Sequence, residues 1–175
     1  GVASVSMSGG DILPALEKGT IDAAEWCCPK PDSVFGFQKV LKNYYLQGLH
    51  QNVVNGDIYI NGDVYNSLTD HQKYAMEIAS EAMITRNITN RAVENGKALI
   101  DLTENHGVKL WDTPADYFTE YMNAAQATLK QNAAENAFFK EVYEHMTAHA
   151  KIVVPFIAQM ETSDASIGTA FANQQ

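Results

Sequence analysis

The chain has 175 residues, of which 46% are hydrophobic, 19% charged and 10% aromatic, a composition that excludes a mostly disordered polymer. It carries 21 acidic and 12 basic side chains, and the formal net charge of -9 disfavours nucleic acid or an anionic membrane surface as a partner. Both of those partners require a dense basic patch. No segment approaches the roughly 20 consecutive apolar residues of a membrane-spanning helix.

The first part of the chain alternates short elements. Val2 to Met7 alternates apolar and small polar residues, which predicts a strand that ends at the turn Ser8-Gly9-Gly10. A helix is predicted from Asp11 to Lys18, with Gly19 as its stop, and a second strand from Ile21 to Trp26. Such a strand, helix and strand are typical of α/β folds, which bind ligands at the carboxyl ends of their strands.

The next elements are predicted to be mostly helical. Asp32 and Ser33 can cap a helix that extends to Tyr45, and Asp57 to Asn61 reads as a brief strand. Thr69 to Gln72 fits a capping box, which predicts a long helix from about Asp70 to Asn105. The middle of that helix is too polar to be buried on all sides, so the helix has an edge in water or crosses between two packed bodies.

The last third is predicted to contain a strand and two helices. Val108 to Trp111 favours a strand, and Thr113-Pro114 begins a helix. A last helix is predicted from about Glu135 to Met160, kinked or ended late by Pro155. Its predicted inward residues are Phe138, Phe139, Val142, Met146 and Ala150. The tail, residues 161–175, is small and polar and is expected to fray.

Glu25 and Trp26 are the first candidates for function, because they lie at the end of a predicted strand. Acid–base catalysis by Asp22 or Glu25 is one interpretation, although it requires a second titratable group within reach. Ligand binding is another, since an indole offers a flat apolar wall and a carboxylate can hold a hard cation. The third is a core tryptophan beside a surface glutamate.

Two further groups admit both a chemical and a structural interpretation. Glu141, His145 and His149 are spaced by four residues, which would stack a zinc-competent set on one helix face or leave exposed histidines. The adjacent Cys27 and Cys28 are either a redox pair or small hydrophobic residues, and they lack the C-x-x-C spacing. The sequence contains no phosphate-binding loop, dinucleotide fingerprint, nucleophile elbow or H-E-x-x-H motif.

The run from Gly9 to Trp26, GGDILPALEKGTIDAAEW, closely resembles a segment of the substrate-binding (DctP-like) proteins of tripartite ATP-independent periplasmic (TRAP) transporters. The shared residues include the paired glycines, Ala15-Leu16 and the final D-A-x-E-W pattern. Further matches are Gly36-Phe37, Lys39-Val40, Tyr44-Tyr45, Asp57 to Asn61 and Leu68-Thr69. The resemblance extends from about Gly1 to Met160.

The resemblance implies an α/β fold. The chain would be a helix-rich fragment of a two-lobed, type II-like periplasmic binding protein. The chain then corresponds to the C-terminal half, and the first lobe, with the arginine that pairs with the ligand carboxylate, precedes Gly1. Residues 1–55 would belong to the second lobe and carry the Glu25-Trp26 segment. Residues 56–112 would bridge the lobes through the long spine helix, 113–160 would form C-terminal helices, and 161–175 a flexible tail.

The resemblance also assigns site residues. Trp26 and Glu25 would contact the ligand, and the Glu25 side chain with the Trp26 main-chain oxygen would hold a bridging cation, sodium or calcium. The second metal carboxylate of the family corresponds to Gln51 here. An amide keeps a carbonyl oxygen but removes one negative charge, which should weaken the binding of a hard cation.

The implied function is that of a non-enzymatic solute-binding component, exported to the periplasm through a signal peptide that this chain does not contain. It would bind a small 2-oxo or 2-hydroxy monocarboxylate for sodium-coupled uptake. Its partners would be the membrane subunits, the missing N-terminal lobe and a second copy joined by swapping. Two alternatives stay open: an isolated helical assembly module with no ligand, because a cut fold exposes apolar faces, and a small hydrolase that uses Asp22 or Glu25.

Overall fold

The computed structural model describes residues 2–48, 50 and 56–174, and the chain divides into two compact units. Unit 1 is Gly1–Thr113 and unit 2 is Pro114–Gln175. Within the described ranges no helix has both the length and the apolar character needed to cross a membrane.

Unit 1 contains four α-helices, a 3-10 turn and two short strands in its described part. The helices are α1 (Gly9–Glu17), α2 (Pro29–Phe35), α3 (Gly62–Ser67) and α4 (Asp70–Glu104). The 3-10 turn spans Phe37–Lys39, and the strands are β1 (Asn43–Tyr45) and β2 (Lys109–Trp111). The two strands pair in parallel, with Asn43 opposite Lys109 and Tyr45 opposite Trp111.

Three of the predicted strands are not formed. Residues 2–7, 21–26 and 57–61 have no strand pairing in the structure, whereas the strand predicted at Val108–Trp111 is present as β2. Alternation of apolar and polar residues shows which side chains share a face, but a strand also needs a neighbour that supplies its ladder of hydrogen bonds. Within the described chain these three segments find no such neighbour.

The helix predicted from Asp32 to Tyr45 is broken at Gly36. This glycine adopts the left-handed conformation, with φ of 86°, and ends α2 at Phe35. Such a conformation is the usual C-terminal stop of a helix, because glycine has no Cβ to oppose it. The chain beyond Gly36 therefore turns, and Tyr44 and Tyr45 belong to β1.

The long helix α4 begins where the sequence predicts. The Thr69 hydroxyl accepts a hydrogen bond from the Gln72 amide at 3.3 Å, and the Gln72 side chain accepts one from the Thr69 amide at 2.9 Å. This reciprocal pair is the capping box. The helix then continues for 35 residues to Glu104, which confirms the predicted extent.

The core of unit 1 is small and lies around α1. Ile12, Leu16 and Phe37 form its buried cluster. The partly buried side chains packed against this cluster are Met7, Leu13, Ile21, Val40 and Leu41. Ala98, Leu102 and Val108 are also buried. The segments on both sides of α1 are therefore held by side-chain packing, although they form no strands.

Unit 2 consists of α5 (Ala115–Glu135) and α6 (Ala137–Ala172), which pack against each other. The Asn136 side chain between them accepts a hydrogen bond from the Phe139 amide at 2.9 Å and caps α6. Helix α6 continues through Pro155, and residues 161–172, which the sequence predicts to fray, are helical here.

The inward face predicted for the last helix is partly wrong. Phe139 and Ala150 are half-buried, but Phe138, Val142 and Met146 are exposed by 74%, 41% and 63%. The half-buried positions of α6 are Phe139, Tyr143, Thr147, Ala150 and Val153. The apolar stripe of α6 is wider than the seam of three- and four-residue spacing that faces α5, so part of the stripe stays exposed.

Candidate functional site

A cavity of about 960 Å³ lies in unit 1 and includes the Glu25-Trp26 segment in its wall. Its wall contains residues 22–28, followed by Asp32, Phe37 and Gln38 of the 3-10 turn, β1 and Arg91 of α4. The volume lies at the upper end of the range of about 300–1,000 Å³ found for small-molecule sites. Asp22, Glu25 and Trp26 thus line the same cavity.

The Trp26 indole is held by two contacts. Its ring centroid lies 4.8 Å from that of Phe35, at an interplanar angle of 59°, and the residue is 37% exposed. Its other contact is with Gly9, where an added Cβ would lie 2.5 Å from the Trp26 ring. Gly9 therefore provides the space that the indole occupies, whereas a Cβ at Gly10 would meet nothing within 4 Å. The sequence pattern does not distinguish the two glycines.

Glu25 lies beside His50. The His50 Nε2 lies 3.4 Å from the Glu25 Oε1, and both side chains are substantially exposed. The pair joins the end of the predicted ligand segment to the loop that follows β1. A contact between two exposed side chains contributes little to the stability of the fold.

The predicted cation ligands lie only partly among the described residues. The third predicted ligand, Gln51, lies outside the described residues. Among those described, no three histidine, cysteine, aspartate or glutamate side chains come together to hold a metal ion. Calcium takes six to eight oxygen ligands, so the two predicted ligands in the described part of the chain, the Glu25 carboxylate and the Trp26 main-chain oxygen, would be two of a larger set. Glu141, His145 and His149 of α6 also form no such group.

Asp32 and Tyr44 link two parts of the cavity wall. The Tyr44 hydroxyl donates a hydrogen bond to the Asp32 Oδ2 at 2.5 Å, which connects α2 to β1. The other oxygen, Oδ1, is buried and has no hydrogen-bond partner in the described structure. Burial raises the pKa of Asp32, although the Tyr44 hydrogen bond acts against this shift. Burial and then the Asp32 carboxylate raise the pKa of Tyr44.

Cys27 and Cys28 also lie in the cavity wall, beside a cation. Their Sγ atoms are 3.0 Å apart. The Arg91 Nη2 lies 3.3 Å from the Cys28 Sγ and 3.9 Å from the Cys27 Sγ. The hydrogen bond with Cys28 raises the pKa of the Cys27 thiol to about 11. Arg91 comes from the polar middle of α4, 63 residues beyond Cys28, so sequence spacing gives no sign of this contact.

The comparisons with known proteins agree on the kind of protein that this chain resembles. A sequence model described as bacterial extracellular solute-binding protein, family 7, matches residues 1–157. A monocarboxylate 2-oxoacid-binding periplasmic protein of Nostoc sp. strain PCC 7120 is 35% identical over 158 residues. That alignment covers 86% of this chain and 41% of the Nostoc protein.

A solved structure is similar to the whole described fold. It is a TRAP transporter solute-binding protein of Bordetella bronchiseptica RB50, with a TM-score of 0.75 and 28% identity. The match covers 98% of this chain and 51% of that one. The Bordetella crystal contains a dimer in which one site holds copurified calcium and picolinate and the other is empty. The chain thus spans about half the length of the relatives it matches.

Proposed function

The chain belongs to family 7 of the bacterial extracellular solute-binding proteins, and from this premise we propose that its parent protein binds a small organic acid in the periplasm. The ligand is a 2-oxo or 2-hydroxy monocarboxylate. The protein releases it to the membrane subunits of a TRAP transporter, which takes it up with sodium. The protein binds its solute without converting it and is not an enzyme.

One observation carries this proposal. The Glu25-Trp26 segment, which carries the family resemblance, lies in the wall of a 960 Å³ cavity. An indole and a carboxylate at such a wall suit a flat, small acid, because the ring packs against its carbon skeleton while polar groups fix its orientation. The similar Nostoc protein is described as a 2-oxoacid binder, which supports the same ligand class.

A cation is part of the proposed site. Glu25, the Trp26 main-chain oxygen and Gln51 would supply protein oxygens to sodium or calcium, and the cation would offset the negative charge of the bound acid. The calcium in the similar Bordetella protein supports this assignment. His50 lies beside Glu25, and a bound cation would compete with the imidazole for that carboxylate.

The proposal includes a second lobe. The ligand carboxylate would pair mainly with an arginine of an N-terminal lobe, while residues 1–55 supply the opposite wall. Helix α4 would serve as the spine of the segment 56–112 that bridges the lobes, followed by the C-terminal helices of 113–160 and the tail of 161–175. The 41% and 51% coverage of the two similar proteins leaves room for such a lobe.

Calorimetric titration of the purified full-length protein with pyruvate, lactate and picolinate tests the ligand class. We expect Trp26→Ala to weaken binding by about 30-fold, because truncating a central aromatic contact commonly costs about 2 kcal/mol. Phe156→Ala is the matched control, since Phe156 lies on α6, is 66% exposed and is not part of the cavity wall. Equal affinities of the wild type and Trp26→Ala would contradict the proposal.

A second candidate function rests on unit 2. Helix α6 exposes large apolar side chains, among them Phe138, Ile152 and Phe156 at 74%, 77% and 66%. An isolated assembly module or a swapped homodimer would cover them. Native mass spectrometry of the purified chain separates the candidates. A small-acid adduct, with or without a cation, favours solute binding, whereas a homodimer without any adduct favours assembly.

A further inference from the structure

We propose that Cys27 and Cys28 form a thiol–disulfide exchange site, which closes into a disulfide between adjacent residues when an external disulfide oxidises it. This chemistry goes beyond solute binding and does not depend on the ligand. The oxidant belongs to the class of small or protein disulfides, for which oxidised glutathione serves as a probe.

The two sulfur atoms are close together and accessible. Their separation is 3.0 Å, Cys27 is exposed and Cys28 is half-buried. Both residues line the 960 Å³ cavity and also a second cavity of about 440 Å³, whose wall includes Lys30, Asn87 and Asn90. A reagent can therefore approach the pair from two sides, which distinguishes it from the buried and inert cysteines common in protein cores.

Arg91 lies closer to one sulfur than to the other, and this difference distinguishes their roles. Its Nη2 lies 3.3 Å from the Cys28 Sγ but 3.9 Å from the Cys27 Sγ. This guanidinium is within hydrogen-bond distance of the Cys28 sulfur, so it stabilises the negative charge that exchange places on the attacking sulfur in the transition state. Cys28 is therefore the attacking residue, and Cys27 resolves the intermediate.

Thiol–disulfide exchange proceeds in two successive steps. The Cys28 sulfur attacks one sulfur of the oxidant, a Cys28–S–S–R bond forms, and the other half of the oxidant leaves as a thiolate. Cys27 then loses its proton and attacks the Cys28 sulfur, which expels the second thiolate. The cysteine pair gives up two electrons, the oxidant is reduced to two thiols, and the departing thiolates take up the protons.

The disulfide between Cys27 and Cys28 is expected to be readily reduced again to two thiols. Consecutive Cα atoms are about 3.8 Å apart, below the roughly 4.4–6.8 Å that disulfides prefer. A disulfide between adjacent residues is therefore strained, and strained or exposed disulfides are the labile ones. Metal binding is a weaker explanation for the pair, because in the described part of the chain no third histidine, cysteine, aspartate or glutamate joins it to complete a site.

The test uses the reduced, purified protein and excess oxidised glutathione. After quenching with iodoacetamide, mass spectrometry follows the peptide that contains both cysteines. We expect the wild-type peptide to lose two hydrogens and to take up no iodoacetamide, and dithiothreitol to reverse this change. Cys27→Ser should stop as a mixed disulfide that carries one glutathione on Cys28. Persistence of two alkylatable thiols in the wild type would overturn the proposal.

Two arginine variants test the assigned mechanism. Arg91→Gln should slow the first step about tenfold, the factor that a hydrogen bond from a charged donor commonly contributes. Arg86→Gln removes the same charge one and a half turns earlier on α4, away from the sulfurs, and should react at the wild-type rate. Equal rates for all three proteins would overturn the role of Arg91. These readouts are thiol masses, so they stand even where no organic acid binds.

Discussion

The two units of this chain use their apolar residues in opposite ways. In unit 1 a small cluster of Ile12, Leu16 and Phe37 is buried, and the neighbouring segments converge on a cavity. In unit 2 the described residues of α5 and α6 include no buried side chain, and large apolar residues of α6 remain in water. The two long helices of unit 2 therefore add no buried side chain to the core in the described part of the chain.

The difference shows that helix length and core formation are separate properties. The 36 residues of α6 satisfy their backbone hydrogen bonds locally, and Asn136 caps the first turn. The segment of residues 21–28 has no regular structure, but it is fixed by side chains that contact α1, α2 and α4. Precise positioning of a site thus arises in unit 1 from packing of irregular backbone.

Matched truncations in the two units should give the largest contrast. Leu16→Ala removes a side chain that is only 5% exposed and should lower the free energy of unfolding by about 2–4 kcal/mol. Ile152→Ala, at a position that is 77% exposed, should change it by less than about 0.5 kcal/mol. Urea unfolding followed by circular dichroism measures both. A cost for Ile152→Ala equal to that for Leu16→Ala would show that α6 is covered in solution.

Glycine substitutions test how closely the backbone of α1 packs against the Trp26 indole. A Cβ at Gly9 would lie 2.5 Å from the Trp26 ring, so Gly9→Ala should displace the indole and weaken organic-acid binding about tenfold, roughly 1.4 kcal/mol. Gly10→Ala in the same helix and Gly168→Ala in α6 place their Cβ atoms in open space and should bind as the wild type does. Calorimetric titration measures the three affinities. Equal binding by Gly9→Ala would contradict the packing role of Gly9.

The sequence predicts well what depends on local residues. The start of α4 follows from the capping box at Thr69, and the stop of α1 follows from Gly19, whose φ is 67°. The resemblance of the run from Gly9 to Trp26 predicts the family, which the comparison confirms. The placement of Glu25 and Trp26 at a ligand stays a prediction, although both lie in a cavity wall.

The sequence fails where contacts join distant parts of the chain. Cys28 and Arg91 are 63 residues apart, and the partner strands β1 and β2 are separated by more than 60. The Asp32–Tyr44 bond was missed for a different reason. Apolar spacing favoured one continuous helix, whereas Gly36 turns the chain and brings the two residues together. Periodicity predicts which faces are apolar but not which backbone turn interrupts them.

Asp32 provides the smallest and most specific test of unit 1. Burial raises the pKa of this carboxyl above its ordinary value of 3.8, so the folded state binds its proton more tightly than the unfolded state does. The contribution of Asp32 to stability is therefore complete below pH 3.8 and is lost as the pH rises through the folded pKa. The side chain is only half buried, so contact with solvent reduces the size of this effect.

Two substitutions separate this contribution from the rest of the pH profile. Asp32→Asn removes the titrating group, so the stability of the wild type relative to this variant should decrease as the pH rises from about 4 to 7. Tyr44→Phe removes the hydrogen bond that opposes the shift, so the decrease should occur at higher pH. Urea unfolding at several pH values measures both variants. Parallel profiles for the wild type and Asp32→Asn would show that water reaches this carboxyl as freely in the folded protein as in the unfolded chain. The packing of unit 1 around its cavity would then not desolvate Asp32.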